Sequence, residues 1–252
     1  MFITQTIISF VVGGLAIAIQ TLIAERVSLK WRGPILTIPS TLALGLFFIG
    51  LTKTPNDVVE ATIIIPAMMV AAYFFVLLFA ALVKFNLTIN LIGSYFAWFV
   101  TILILYTFPP QTFISSVFVY CIPFVFIIYL IIRKLPQKTK LIPVPINKKH
   151  VIIRSVISGS IIALVVILSK TIGNIWGGIF STFPAVFSST FLIYYFAHGK
   201  NIIPSVAKSL FFPGIIGFII YTWMAGLTFP IYGIWLGTLF SYLATFLSYG
   251  LY

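Results

Sequence analysis

Long apolar runs broken by short polar stretches recur nine times along the chain, at residues 3–24, 34–52, 59–83, 87–108, 113–132, 151–168, 176–197, 210–227 and 229–251. Each run is about the length that crosses a bilayer core. Within lipid, every backbone polar group must be satisfied inside its own segment, so continuous runs of this kind predict helices. A β-barrel would instead need short segments of alternating polarity. The breaks are a basic loop at 25–32, polar turns at 53–57 and 84–86, Pro109-Pro110, a long polar stretch at 133–150, a short loop at 170–174 and a basic loop at 198–208. No Lys or Arg precedes the first run, so it reads as a permanent span rather than a signal peptide.

The pattern repeats. Trp31, Gly33, Thr37 and Pro39 open the second span, and Trp176, Gly178, Thr182 and Pro184 open the seventh, all at an offset of 145 residues. At the same offset Gly14 matches Gly159 and Ala18 matches Ala163. Pro66 and Pro213 correspond at an offset of 147, both read as early-helix prolines. Gly93, Ala97 and Thr101 correspond to Gly237, Ser241 and Thr245 at an offset of 144. The expected fold is therefore an all-α polytopic membrane protein with nine transmembrane helices in a 4+1+4 arrangement. A four-helix unit (1–110) and its copy (151–252) flank a linker helix with a basic loop (111–150). Five spans separate each element from its counterpart, so the copy enters the membrane from the opposite side. Inverted repeats of this kind are characteristic of secondary transporters.

Composition supports the class. The chain is 61% hydrophobic and 7% charged, far below the charge of a soluble domain of its 252 residues. The net charge of +12 would suit nucleic acid, but the cations sit in loops between spans, where membrane topology accounts for them, so no nucleic-acid partner is expected. With the N-terminus outside, 13 of the 15 basic residues, Arg154 among them, fall on the inner side, and only Lys53 and Lys170 fall outside. The expected location is the cell membrane, with the C-terminus cytoplasmic. Cys121 is the only cysteine, which rules out an intrachain disulfide.

Candidate chemistry concentrates at the repeated phrase. A proline inside a helix removes a donor and clashes with the preceding turn, so Pro39 and Pro184 break their helices. Thr37, Ser40 and Thr41 crowd one break; Ser181, Thr182, Ser188 and Ser189 crowd the other. Broken helices with freed backbone groups hold ligands in many transporters. The same residues would equally make a structural kink whose hydroxyls bond back to the helix. Trp31, Gly33, Trp176 and Gly178 are candidate gating positions, the tryptophans also suiting interfacial anchors. Glu25 and Lys170 occupy corresponding positions at loop edges on opposite sides, where solvated loop charges are the expectation and alternate pairing with Arg26, Arg32 or the gate loops is the functional alternative. Glu60 and Asp57 lie at the outer edge of the third span, where an acid favours a helix N-terminus. The spans carry no central carboxylate, which disfavours export of multidrug cations and leaves neutral, amphipathic or anionic solutes. No metal set, cofactor motif or catalytic constellation stands out, so an enzyme is not expected. The Gly233, Gly237 and Ser241 ridge could pack against a second copy.

The layout, with Trp-x-Gly-x-x-x-Thr-x-Pro in both halves, resembles four-span membrane proteins of unknown function duplicated as an inverted repeat. It is similar in logic to the drug/metabolite transporter superfamily. It departs from that group's small multidrug exporters in lacking a glutamate in the first span, where Gln20 is the most polar inner residue. The resemblance implies alternating-access transport of a small solute, with membrane lipid as surroundings. The alternatives are a membrane scaffold or assembly protein, or a flippase-like lipid handler.

Overall fold

The computed structural model describes residues 2–27, 35, 38–135, 144 and 147–249, without the side chains of Ala24, Glu25, Ile132, Lys134, 211–216 and Tyr249. Trp31, Gly33 and Thr37 lie outside the described residues. The α-helices with described bounds are α1 (Phe2–Arg26), α2 (Ser40–Thr52), α3 (Pro55–Ala81), α4 (Leu87–Thr107), α5 (Phe113–Lys134), α6 (Lys148–Thr171), α7 (Asn174–Ser181), α8 (Ala185–His198) and α9 (Ile203–Tyr249). Among the described residues there is no strand. Among the described residues, seven helical segments are long and apolar enough to cross a membrane. Ile, Leu and Phe side chains of α1, α4, α5 and the end of α9 are exposed, as they are in a protein whose outer surface faces lipid.

α3 is the central pillar: 83% of its apolar window is buried, against 22% for α4 and for α5. A capping box starts it. The Thr54 hydroxyl accepts from Asp57 N–H, the Asp57 carboxylate accepts from Thr54 N–H, and Pro55 takes the first turn. The helix thus begins four residues before the apolar run that hydropathy marks. Pro66 consequently lies deep within it rather than near its start. The neighbouring Ala67 N–H donates to Ser116 Oγ of α5 at 2.9 Å, tying the two helices beside the proline. α6 likewise starts early, on an Asn147–His150 capping box, and α9 starts at Ile203 instead of 210. Asn86, part of a glycosylation sequon on paper, caps α4 by accepting from Ile89 N–H at 2.8 Å.

α9 is a helical hairpin. Gly233 sits at φ 73°, ψ 175°, which a residue with a Cβ rarely adopts. The Thr228 hydroxyl donates to Gly237 O at 3.1 Å, and the Tyr221 and Tyr242 rings lie 5.0 Å apart. In a straight helix those tyrosines would be about 30 Å apart. The last two apolar runs are therefore antiparallel arms, and the turn falls at Gly233 rather than at residue 228.

α1 and α6 cross closely and run antiparallel. A Cβ on Gly14 would meet the Ser155 carbonyl oxygen at 3.1 Å, and one on Gly159 would meet the Phe10 carbonyl oxygen at 2.6 Å. Ser155 follows Phe10 by the same 145 residues that separate Gly159 from Gly14, so the two contacts are reciprocal.

Candidate functional site

The two proline breaks share one backbone design. Pro39 has φ −74°, ψ 55°, and Pro184 has φ −76°, ψ 46°. Each is the centre of an inverse γ-turn. Ser40 N–H donates to Ile38 O and Ala185 N–H to Phe183 O, both at 2.7 Å. The helix then resumes in register, with Ala43 N–H on Pro39 O at 2.7 Å and Ser188 N–H on Pro184 O at 2.8 Å. The cause is in the sequence: proline supplies the required φ and has no N–H to continue the helix.

These breaks meet. Ile38, Pro39 and Thr41 line one cavity together with Ser181, Thr182, Phe183 and Pro184, while Met69 and Ala72 of α3 form another wall. The cavity has room for about a water or two. Most hydroxyls around it are turned back on their own helices. Ser181 donates to Gly178 O at 2.6 Å and Thr182 to Ile179 O at 2.7 Å, while Ser189, which lines a separate small cavity, donates to Val186 O at 3.1 Å. Ser40 donates to Ile38 O at 3.3 Å and faces a separate groove. Ser188 donates to Pro184 O at 2.6 Å and accepts from the Tyr95 hydroxyl at 2.7 Å.

Aromatic rings from α4 cover the second break. Tyr95 stacks on Phe183 with centroids 5.3 Å apart, and Trp98 meets Phe183 and Phe180 edge-on at 5.0 and 5.5 Å. Beside the first break, Tyr242 of α9 lines a lateral groove with Ile35, Ile38 and Ser40. That groove is apolar, open on one side and about 400 Å³ in volume. Gln20 lines it from α1 and donates to Ile35 O at 2.6 Å, tying α1 to a carbonyl at the break.

At the end where α2 meets α3, Asn174 joins elements from both halves. Its amide oxygen accepts from Lys53 Nζ at 2.7 Å and Ser169 Oγ at 3.1 Å. Its amide nitrogen donates to Asp57 at 2.7 Å and Glu60 at 2.8 Å. That uses the full bonding capacity of the side chain. Asp57 and Glu60 thus serve a polar link between halves as well as a helix N-terminus.

The remaining expected positions divide. Gly178 permits close packing, since a Cβ there would lie 2.8 Å from Ala61 O of α3. Trp176 is half-buried and packs against Tyr106 with ring centroids 5.1 Å apart. Lys170 donates to Gln5 at the start of α1 rather than to a gate loop. Glu25 lies on α1 with its side chain outside the description. Gly237 and Ser241 are buried against the first arm of α9, so that face is covered by the chain itself and is not open to a second copy. Arg154, read as an inner-loop charge, is a buried residue of α6. Arg154, Tyr95 and Asn174 had no signal in hydropathy. Tyr95 and Trp98 share a helix face at i, i+3 spacing, which was the one legible hint.

The sequence matches the family described as "Protein of unknown function (DUF3147)" over residues 6–110 and 151–249. The chain belongs to the DUF3147 family. The match leaves out 111–150, which contains α5 and the basic stretch after it. No match is found among curated proteins or among solved structures.

Proposed function

We propose that this DUF3147 chain is a secondary transporter of a small neutral, amphipathic or anionic solute, working by alternating access on a nine-span inverted repeat. The observation that carries the reading is the meeting of two congruent proline breaks at one central cavity. Reciprocal contacts across the antiparallel α1–α6 crossing support a two-fold relation between the halves. The two segments of the family match, one on each side of α5, agree with that division. In this reading the cavity is occluded. The Asn174 network closes the outer side, and solute binding turns hydroxyls of Thr182 and Ser181 away from their own carbonyls. Exchange of conformation between the halves then moves access from one face to the other. The orientation is N-terminus outside, because Lys53 and Lys170 flank the Asn174 end while Lys84, Lys148, Lys149 and Lys200 lie at the opposite end.

The lateral groove beside Gln20 favours a second reading, lipid handling, since a lipid chain could lie against Ile19, Ile23 and Phe246. The test is Thr182→Val in reconstituted vesicles loaded with a panel of small solutes. Transport through the breaks predicts lost flux at unchanged membrane yield. Equal loss of yield and flux returns the breaks to structural kinks, and scrambling of labelled lipid that survives the substitution favours the groove.

A further inference from the structure

Arg154 is a cation with no described counter-charge. It is 5% exposed in the second turn of α6. One guanidinium nitrogen donates to the neutral Thr190 hydroxyl at 3.0 Å, and Nε is buried with no partner. Of the three acids in the chain, Asp57 and Glu60 are engaged by Asn174 at the other end of α6. Glu25 has its side chain outside the description. An arginine removed from water without a compensating anion is strongly destabilising. The surroundings fit an anion. Arg154 lines a small cavity with Thr21, Ser158 and Ser189. Thr21 and Ser158 are each 1% exposed. Neither hydroxyl makes a hydrogen bond among the described residues. The space is that of about one water, which suits a monatomic anion better than a free carboxylate or phosphate group.

We propose that Arg154, Thr21 and Ser158 form a binding site for one small inorganic anion of chloride's size. The guanidinium supplies the charge, and the two hydroxyls on α1 and α6 supply neutral donors, so the bound anion staples the crossing helices together. Val186 lines both this cavity and the central one, placing the anion next to the second proline break. The site does not require transport to exist.

The experiment is thermal unfolding of the purified full chain in detergent, with sodium chloride titrated against sodium gluconate at constant ionic strength. The expected result is a saturable rise in Tm with chloride of about 2–4 °C, and a smaller rise with the larger bromide. Arg154→Gln should abolish the rise. Because that variant also risks misfolding, Thr21→Val and Ser158→Ala provide the second measure, each weakening the apparent chloride affinity about tenfold or less while leaving the Tm in gluconate close to wild type. A wild-type Tm indifferent to chloride overturns the site. So does a chloride response that is absent in the wild type and created by Glu25→Gln, which would make Glu25 the internal counter-ion. A response that survives unchanged in all three site variants also overturns it. None of these readouts uses flux, so failure here leaves the transport reading to its own test.

Discussion

Replacing Gly159 with alanine tests the crossing on which the two halves meet. The new Cβ would lie 2.6 Å from the Phe10 carbonyl oxygen and 3.3 Å from Gly14 N, where ordinary contact begins near 3.4 Å. The carbonyl must therefore yield roughly 0.8 Å, and it belongs to helix backbone that cannot swing aside as a side-chain tip would, so α1 and α6 must part. Overpacking of this kind costs about 1–3 kcal/mol. Alanine returns up to about 1 kcal/mol through helix propensity. With the full propensity gain, the net loss is about 0–2 kcal/mol. At Gly14 the nearest atom, Ser155 O, is 3.1 Å away, so the shortfall is smaller and Gly14→Ala should be close to neutral. The two positions touch, because Gly14 N is among the nearest atoms to the Gly159 Cβ. Their effects should then be non-additive, with Gly14→Ala costing nothing once the helices have parted. The assay is unfolding in mixed micelles titrated with a denaturing detergent, run as a double-mutant cycle. Gly14→Ala matching or exceeding Gly159→Ala, or full additivity, would refute the reasoning.

Three further outcomes follow from the geometry. Asn174→Leu strips hydrogen bonds from Lys53, Asp57, Glu60 and Ser169; chemical denaturation should register a loss of about 1–3 kcal/mol, and residue 182 should become more reactive from the outer side. Gly233→Ala forces a Cβ into the left-handed region at φ 73°, and its cost of about 1 kcal/mol or more should appear as a lower Tm. Thr54→Ala removes the cap of the central helix; a loss of about 1 kcal/mol is expected, measured by the same denaturation.

The helical class and the two breaks were legible in the sequence because both follow from strong local rules. Runs of about 20 apolar residues leave few alternatives in lipid, and proline within a span must interrupt it. Helix starts were misjudged for an equally local reason. The capping boxes at Thr54–Asp57 and Asn147–His150 are polar, so hydropathy assigns them to loops although they begin helices. The hairpin at Gly233 was displaced because Thr228 to Gly233 contains no charge to punctuate an apolar stretch. Arg154 was counted as a topological charge near a span end, and only packing against α1 and α8 reveals its burial. Asn174 and Tyr95 act across 117 and 93 residues of chain, a separation that no pattern along the sequence encodes.

The central claim is that the paired breaks form a path open alternately to each side. Its most direct test is a chain carrying Cys121→Ser, which removes the exposed native thiol, together with Thr182→Cys. In oriented vesicles, a membrane-impermeant thiol reagent should modify residue 182 from either face, and closing the outer face by carbodiimide coupling of Lys53 to the carboxylate of an added Asn174→Asp substitution should leave only the inner face reactive. No reaction from either face while the protein remains folded would contradict the account.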